Sequence, residues 1–117
     1  MQPGRMERVT QELQQEIARI IHQELKDPRL GFVTITRLEL SKDLRHAKVL
    51  FSCLGGEADI RRSQVALEHS TRFIYGLLKK RFRLKVIPEL QFRYDASIAG
   101  AIEMAERLER LQRPSER

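Results

Sequence analysis

The stretch ELKDPRLGFVTIT, residues 24–36, contains both a helix stop and the start of a strand. A proline disfavours the helical conformation of the residue before it, so a helix entering from the amino-terminal side must end near Lys26, ahead of Asp27-Pro28. Gly31 then indicates a turn, and the run from Phe32 to Leu40, rich in Val, Ile and Thr, predicts a strand. This stretch therefore predicts a helix and a strand joined by a short loop.

The segments on either side extend this order. A polar turn at Ser41-Lys42-Asp43 leads to a second strand with alternating faces, and a β-hairpin is the simplest joining of the two strands. Helical character resumes at Glu57, a third strand follows Pro88, and Asp95 or Ser97 can cap a last helix. Upstream of the stretch, apolar residues recur at the spacing of one helix face: Val9, Leu13, Ile17, Ile20 and Leu25.

The order helix, strand, strand, helix, strand, helix predicts an α+β fold with one small sheet packed against helices. The chain has 117 residues and no linker, so we expect a single domain over residues 1–112 with a polar tail at 113–117. The only cysteine, Cys53, cannot form an internal disulfide, which favours a reducing compartment. No apolar run approaches the roughly 20 residues of a membrane-spanning helix. A cytoplasmic protein without membrane contact is expected.

Positive charge is concentrated in the stretch STRFIYGLLKKRFRLKVIP, from Ser70 to Pro88. The chain has 22 Lys and Arg against 16 Asp and Glu, a net charge of +6. The stretch contains no acid, and the rest of the chain is neutral. Localised positive charge favours a polyanion as partner, although an acid-free gap of this length also arises by chance in about one window in twenty. The six basic residues are Arg72, Lys79, Lys80, Arg81, Arg83 and Lys85.

Three runs resemble the ribosome-binding factor A family: residues 24–36, ELSKDLRHAKV at residues 39–49, and PEL at residues 88–90. The resemblance extends over about residues 5–105. It implies a type II KH-like fold, ordered α-β-β-α-α-β, with an additional C-terminal helix and a three-stranded sheet. It also implies a non-enzymatic assembly factor, without a cofactor, that takes part in cold adaptation.

By the same resemblance, the partners would be the small ribosomal subunit, its RNA and neighbouring ribosomal proteins. The factor would bind ribosomal RNA in the pre-ribosomal particle and promote late maturation, including processing of the RNA precursor. A monomer is expected. The alternative is a protein-interaction module that docks on a ribosomal or other acidic protein through the basic segment and the last helix.

Ser70-Thr71-Arg72 stands where the family has an Ala-x-Gly kink between two helices. Ser70 or Thr71 could cap a second helix, leaving free amide groups near Arg72 as a seat for phosphate. We therefore predict an interhelix break at these three residues, with one continuous helix as the alternative.

The predicted RNA contacts centre on Arg72, Gly76 and Lys79, which lie on one helix face. Gly76 would let a sugar-phosphate backbone approach between two cations. Alternatively, Gly76 is merely a weak helix position, and the neighbouring lysines only favour the negative end of the helix. Arg61 and Arg62 on the helix, and Arg45 and Lys48 on the hairpin, could equally be solvated charges. The full set of predicted RNA-binding residues is Arg45, Lys48, Arg61, Arg62, Arg72, Gly76, Lys79, Lys80, Arg81, Arg83 and Lys85.

Aromatic side chains contribute little to the predicted interface. Tyr75 could stack on a base, whereas Phe51, Phe73, Phe92 and Tyr94 are expected in the core. Recognition of the shape and backbone of folded RNA is therefore favoured over the reading of single-stranded bases.

Residues 26–31, KDPRLG, are expected to be mainly structural, because Pro28 ends the helix and Leu30 can pack under it. A functional surface carrying Lys26 and Arg29 is the alternative. The scattered histidines and Cys53 do not form a metal motif, and no nucleophile–base pattern or phosphate loop is present in the sequence. Neither a metal site nor catalysis is expected.

Overall fold

The computed structural model describes residues 4–97. The chain forms five elements: α1 (Arg5–Gln23), β1 (Val33–Leu40), β2 (His46–Cys53), α2 (Glu57–Arg81) and β3 (Glu89–Tyr94). Helix α1 ends before the predicted Lys26, because the N–H groups of Glu24 and Leu25 both bond to Ile20 and close the last turn. The predicted last helix, apart from Ala96 and Ser97, and the polar tail lie outside the described residues.

The three strands form one sheet in the order β1-β2-β3. Strands β1 and β2 are antiparallel, which confirms the predicted hairpin, whereas β2 and β3 are parallel and connected through α2. The register shifts between Ile35 and Arg37, so Thr36 forms a bulge. Its hydroxyl donates to Asp95 Oδ2 at 2.7 Å, and this bond joins the bulge in β1 to the end of β3.

The core lies between this sheet and the apolar faces of both helices. Helix α1 contributes Ile17 and Ile20, α2 contributes Leu67 and Ile74, and β2 contributes Phe51 to one continuous cluster. Each such side chain stabilises the fold by about 1.5–3 kcal/mol through burial. The core thereby presses the two helices side by side and leaves one face of each in water.

Helix α2 runs without interruption for 25 residues, so the break predicted at Ser70-Thr71-Arg72 is wrong. The Thr71 hydroxyl donates to Leu67 O at 3.0 Å, a bond to the preceding turn that leaves the helix ladder intact. Leu67 and Ile74, on either side of the predicted break, are fully buried at helical spacing. One continuous helix buries both, and this packing outweighs the capping tendency of Ser70 and Thr71.

The KDPRLG loop is tied to its neighbours by polar contacts. The Arg29 guanidinium binds both carboxylate oxygens of Asp27, and Nη2 also lies 3.2 Å from His69 Nδ1 on α2. Hydrogen bonds from Arg29 lower the pKa of Asp27 to about 2. Leu30 packs against the core, and Gly31 N donates to Ser63 Oγ at 3.3 Å. These contacts agree with the structural interpretation of this loop, and the functional surface carrying Lys26 and Arg29 stays a prediction.

Candidate nucleic-acid interface

Helix α2 carries a row of cations on the face turned away from the core. Arg61, Arg72 and Lys79 lie within about 20° of one another around the helix axis and span about 27 Å along it. Lys80 lies beside this row, about 100° around the axis from Lys79. All four side chains are exposed. None of the four forms an ion pair with a carboxylate within residues 4–97. We call Arg61, Arg72, Lys79 and Lys80 the cationic stripe.

Arg81, predicted among the RNA-binding residues, does not belong to the cationic stripe. It lies about 160° around the helix from Lys79 and faces α1. Its guanidinium binds Glu16 Oε2 at 2.5 Å and Glu24 Oε1 at 2.6 Å. Hydrogen bonds with Glu24 and Glu16 raise the pKa of Arg81. Because two carboxylates neutralise it, Arg81 serves to join the two helices.

Arg62 is also engaged within the chain. Its Nη2 lies 2.5 Å from Asp59 Oδ1, one turn earlier on α2. The Asp59 carboxylate also accepts a hydrogen bond from the N–H of Gly56 at 2.9 Å. The bond from Gly56 and, to a smaller extent, the bond from Arg62 lower the pKa of Asp59. Arg62 is therefore less available to an external anion than Arg61 beside it.

Two further predicted cations follow α2 and two lie on the hairpin. Arg83 and Lys85 are exposed in the segment that connects α2 to β3. Arg45 and Lys48 are exposed at the start of β2. None of the four is ion-paired in the part of the chain that the structure describes.

Lys48 and Arg72 line a cleft of about 880 Å³ between α2 and one end of the sheet. Half-buried Tyr75 lines the cleft and packs against the core. Glu39 and Glu89 line it as well, so its walls carry charges of both signs. A polyanion is therefore better served by the cationic stripe than by this cleft.

The aromatic residues divide differently from the prediction. Phe51 and Phe92 are buried as expected, and Phe51 contacts Tyr94 edge to face at a ring separation of 6.0 Å. Phe73, predicted in the core, has 50% of its surface exposed on α2, and Phe32 has 80% exposed. Phe73 lies about 100° from Ile74, which occupies the buried side in its place.

Other kinds of site find no support in residues 4–97. No group of three or more His, Cys, Asp or Glu side chains there could hold a metal ion. No helix in that range has the length and apolar character needed to cross a membrane. The Cys53 thiol is half-buried and lies 3.4 Å from Ser63 Oγ.

Comparisons with known proteins identify the family of this chain. The family model described as ribosome-binding factor A matches residues 5–108. A ribosome-binding factor A from Heliobacterium modesticaldum is 44% identical over 108 residues, covering 92% of this chain and 89% of that protein.

Solved structures give the same result. The crystal structure of ribosome-binding factor A from Thermus thermophilus matches with a TM-score of 0.68 and 28% identity, over 75% of this chain and 92% of that one. A homology model of the Thermus thermophilus factor, fitted into a cryo-electron microscopy map of its complex with the 30S subunit, matches with a TM-score of 0.62 and 29% identity, over 74% and 90% of the two chains. The type II KH-like fold is confirmed, with its two central helices joined as α2. The chain belongs to the ribosome-binding factor A family.

Proposed function

We propose that this protein binds the RNA of the small ribosomal subunit through the cationic stripe. It acts in the pre-ribosomal particle and promotes late maturation, including processing of the RNA precursor. The observation that carries the proposal is the row of four exposed cations on α2 without carboxylate partners within residues 4–97. Membership of the family, and a relative fitted into a map of its 30S complex, support this choice of polyanion.

The mechanism is differential binding. Exposed Lys and Arg side chains neutralise phosphates and release counterions, which supplies affinity that does not depend on sequence. The roughly 27 Å length of the row lets several phosphates bind at once and sets the orientation of the protein. Specificity comes from RNA shape and from neighbouring ribosomal proteins. The factor favours an RNA conformation only to the extent that it binds that conformation more tightly than the alternatives.

We further propose that the protein acts as a monomer and catalyses no reaction. The effect on RNA processing follows from binding alone, because an RNA held in one conformation offers other factors a different set of accessible sites. The resident partners are the small subunit, its RNA and the ribosomal proteins next to the binding site.

The direct test changes Arg72, Lys79 and Lys80 together to Ala and measures binding to a small-subunit ribosomal RNA transcript over a range of salt concentrations. If the three side chains contact phosphates, the slope of log affinity against log salt becomes shallower by about 2–3. A matched control changes Arg5, Arg8 and Arg19 on α1 to Ala, removing the same charge from another helix, and should leave most of the slope intact. An unchanged slope in the α2 variant would refute the proposal.

A second measurement addresses the particle. In sucrose gradients of lysate, the protein should migrate with free small subunits and be absent from translating ribosomes. Release by ribonuclease supports RNA binding. Retention after nuclease treatment supports the protein-interaction alternative instead.

A further inference from the structure

Gly76 lies at the centre of a group of cationic and aromatic side chains on α2. On a helix surface, residues three and four positions away in either direction are the neighbours of a given residue. For Gly76 these are Arg72, Phe73, Lys79 and Lys80. Three cations and one aromatic ring therefore surround the one position of the group that lacks a side chain.

Within residues 4–97, the space above Gly76 is open. Apart from its two chain neighbours and the local helix backbone, no heavy atom in that range lies within 4 Å of a Cβ placed there, so none of the four neighbouring side chains covers it. Phe73 is half exposed, and all three cations are exposed. The group therefore forms a shallow depression with helix backbone as its floor. We call it the Gly76 depression.

We infer that the Gly76 depression binds one unpaired nucleotide of an RNA strand. The base stacks on the Phe73 ring, and the phosphates on either side contact Arg72, Lys79 and Lys80. Every base has a flat π surface, so stacking on an aromatic side chain tolerates any sequence. The inference rests on the proposed function, since the cations belong to the stripe, and adds to it a preference for unpaired over paired RNA.

An unpaired nucleotide fits this group better than an apolar protein anchor. A protein side chain packed on Phe73 would bring three cations, which have no carboxylate partner within residues 4–97, close to an apolar contact and remove part of their hydration. A nucleotide supplies both the flat surface for the ring and the negative charge for the cations. Bases inside a duplex are already stacked on each other and cannot reach Phe73, so duplex RNA engages only the cations.

The test compares two fluorescent probes: a single-stranded oligoadenylate of about ten nucleotides, within the range that such sites span, and a blunt RNA duplex of similar length. Phe73→Leu should lower affinity for the oligoadenylate about tenfold, the size of one lost base stack, and leave duplex affinity unchanged. Phe73→Trp, which keeps an aromatic ring at this position, should retain single-strand binding. Phe32→Leu, which removes the other strongly exposed phenyl ring, should leave both affinities unchanged.

A second variant fills the depression without removing the ring. Gly76→Leu should also lower oligoadenylate affinity about tenfold, because the new side chain occupies the space of the base. Its thermal unfolding temperature should rise, since leucine favours the helix over glycine and the site has room for a Cβ. The loss of binding then cannot be attributed to loss of fold.

Equal losses with both probes, or no loss in either variant, would overturn the inference. The proposed function fails separately, by an unchanged salt dependence of binding to the ribosomal RNA transcript when the three cations are removed. If removing the three cations makes the salt slope shallower, but Phe73→Leu lowers the two affinities equally or lowers neither, only the stacking site is rejected.

Discussion

Lys79 and Arg81 are both cations at the end of one helix, yet they have different surroundings. Lys79 extends into water, whereas Arg81 lies between two carboxylates of the α1 region. The difference follows from an angle of about 160° between them around the helix. Charge clustering in a sequence therefore overstates the charge that an external ligand meets.

We predict that Arg81→Ala destabilises the fold. Glu16 and Glu24 would lose their shared partner, and Glu24 Oε2 is already buried without a hydrogen-bond partner in the described part of the chain. The free energy of unfolding, measured with urea, should fall more than it does for Arg19→Ala. Arg19 makes a longer, more exposed contact of 3.4 Å with Glu16 and serves as the control.

The RNA-binding consequence of the same change distinguishes the two roles. Arg81→Ala should leave the salt dependence of binding close to that of the unaltered protein. A slope as shallow as that of a Lys79→Ala protein would mean that Arg81 leaves its carboxylates to contact phosphate.

Among the elements, α2 differs most from its prediction. The capping tendency of Ser70 and Thr71 is a local property and was readable from the sequence, but the burial of Leu67 and Ile74 on one common face is a property of the packed fold. Phe73 shows the same limitation. Its spacing allowed a place beside the buried row, and only the position of the sheet shows that Ile74 fills that side.

A continuous α2 predicts a small effect for the double change Ser70→Ala and Thr71→Ala. Alanine favours the helix interior by a few tenths of a kcal/mol per residue, which offsets the loss of the 3.0 Å bond from Thr71 to Leu67 O. The free energy of unfolding should stay within about 0.5 kcal/mol of the unaltered value. A loss of about 1–2 kcal/mol, typical of a deleted N-cap, would indicate a helix start at this point.

At the scale of the whole molecule, most of the fold was accessible from sequence. The stop at Asp27-Pro28, the alternation in β2 and the strand after Pro88 place four of the five described elements close to their observed bounds. The parallel pairing of β2 with β3 could not be predicted from the sequence, because it depends on where α2 returns the chain to the sheet. The candidate site was found only in part: the exposed cations were identified, whereas the pairing of Arg81 and the exposure of Phe73 required tertiary structure.

Acid stability is a property of the whole fold. Four aspartates have lowered pKa values because each carboxylate accepts hydrogen bonds in the folded chain; their main partners are Arg29 for Asp27, Ser41 for Asp43, Gly56 for Asp59, and Ser97 for Asp95. A folded pKa below the unfolded value of about 3.9 stabilises the fold above that pH. The stabilisation is then lost as pH falls through the folded pKa, about 2 for Asp27.

We therefore expect the urea midpoint to fall steadily from about pH 5 to pH 2. Asp27→Asn should be less stable than the unaltered protein at pH 7, and the difference should shrink below about pH 4 and disappear only at a pH below the folded pKa of about 2. Urea titrations at several pH values measure this. A difference that stays constant with pH would show that the Asp27 charge contributes nothing.

The parallel pairing of His46 with Glu89, and of Phe51 with Tyr94, has a consequence for biosynthesis. During translation, the β1–β2 hairpin leaves the exit tunnel before β3. The backbone N–H and C=O groups on the free edge of β2 therefore have no β-sheet partner until residues 89–94 emerge. That edge is a template for aggregation in the meantime, and long-range closure of this kind is slow. A nascent chain truncated before Glu89 would therefore leave this edge exposed, and the sheet can close only after residues 89–94 have been synthesised.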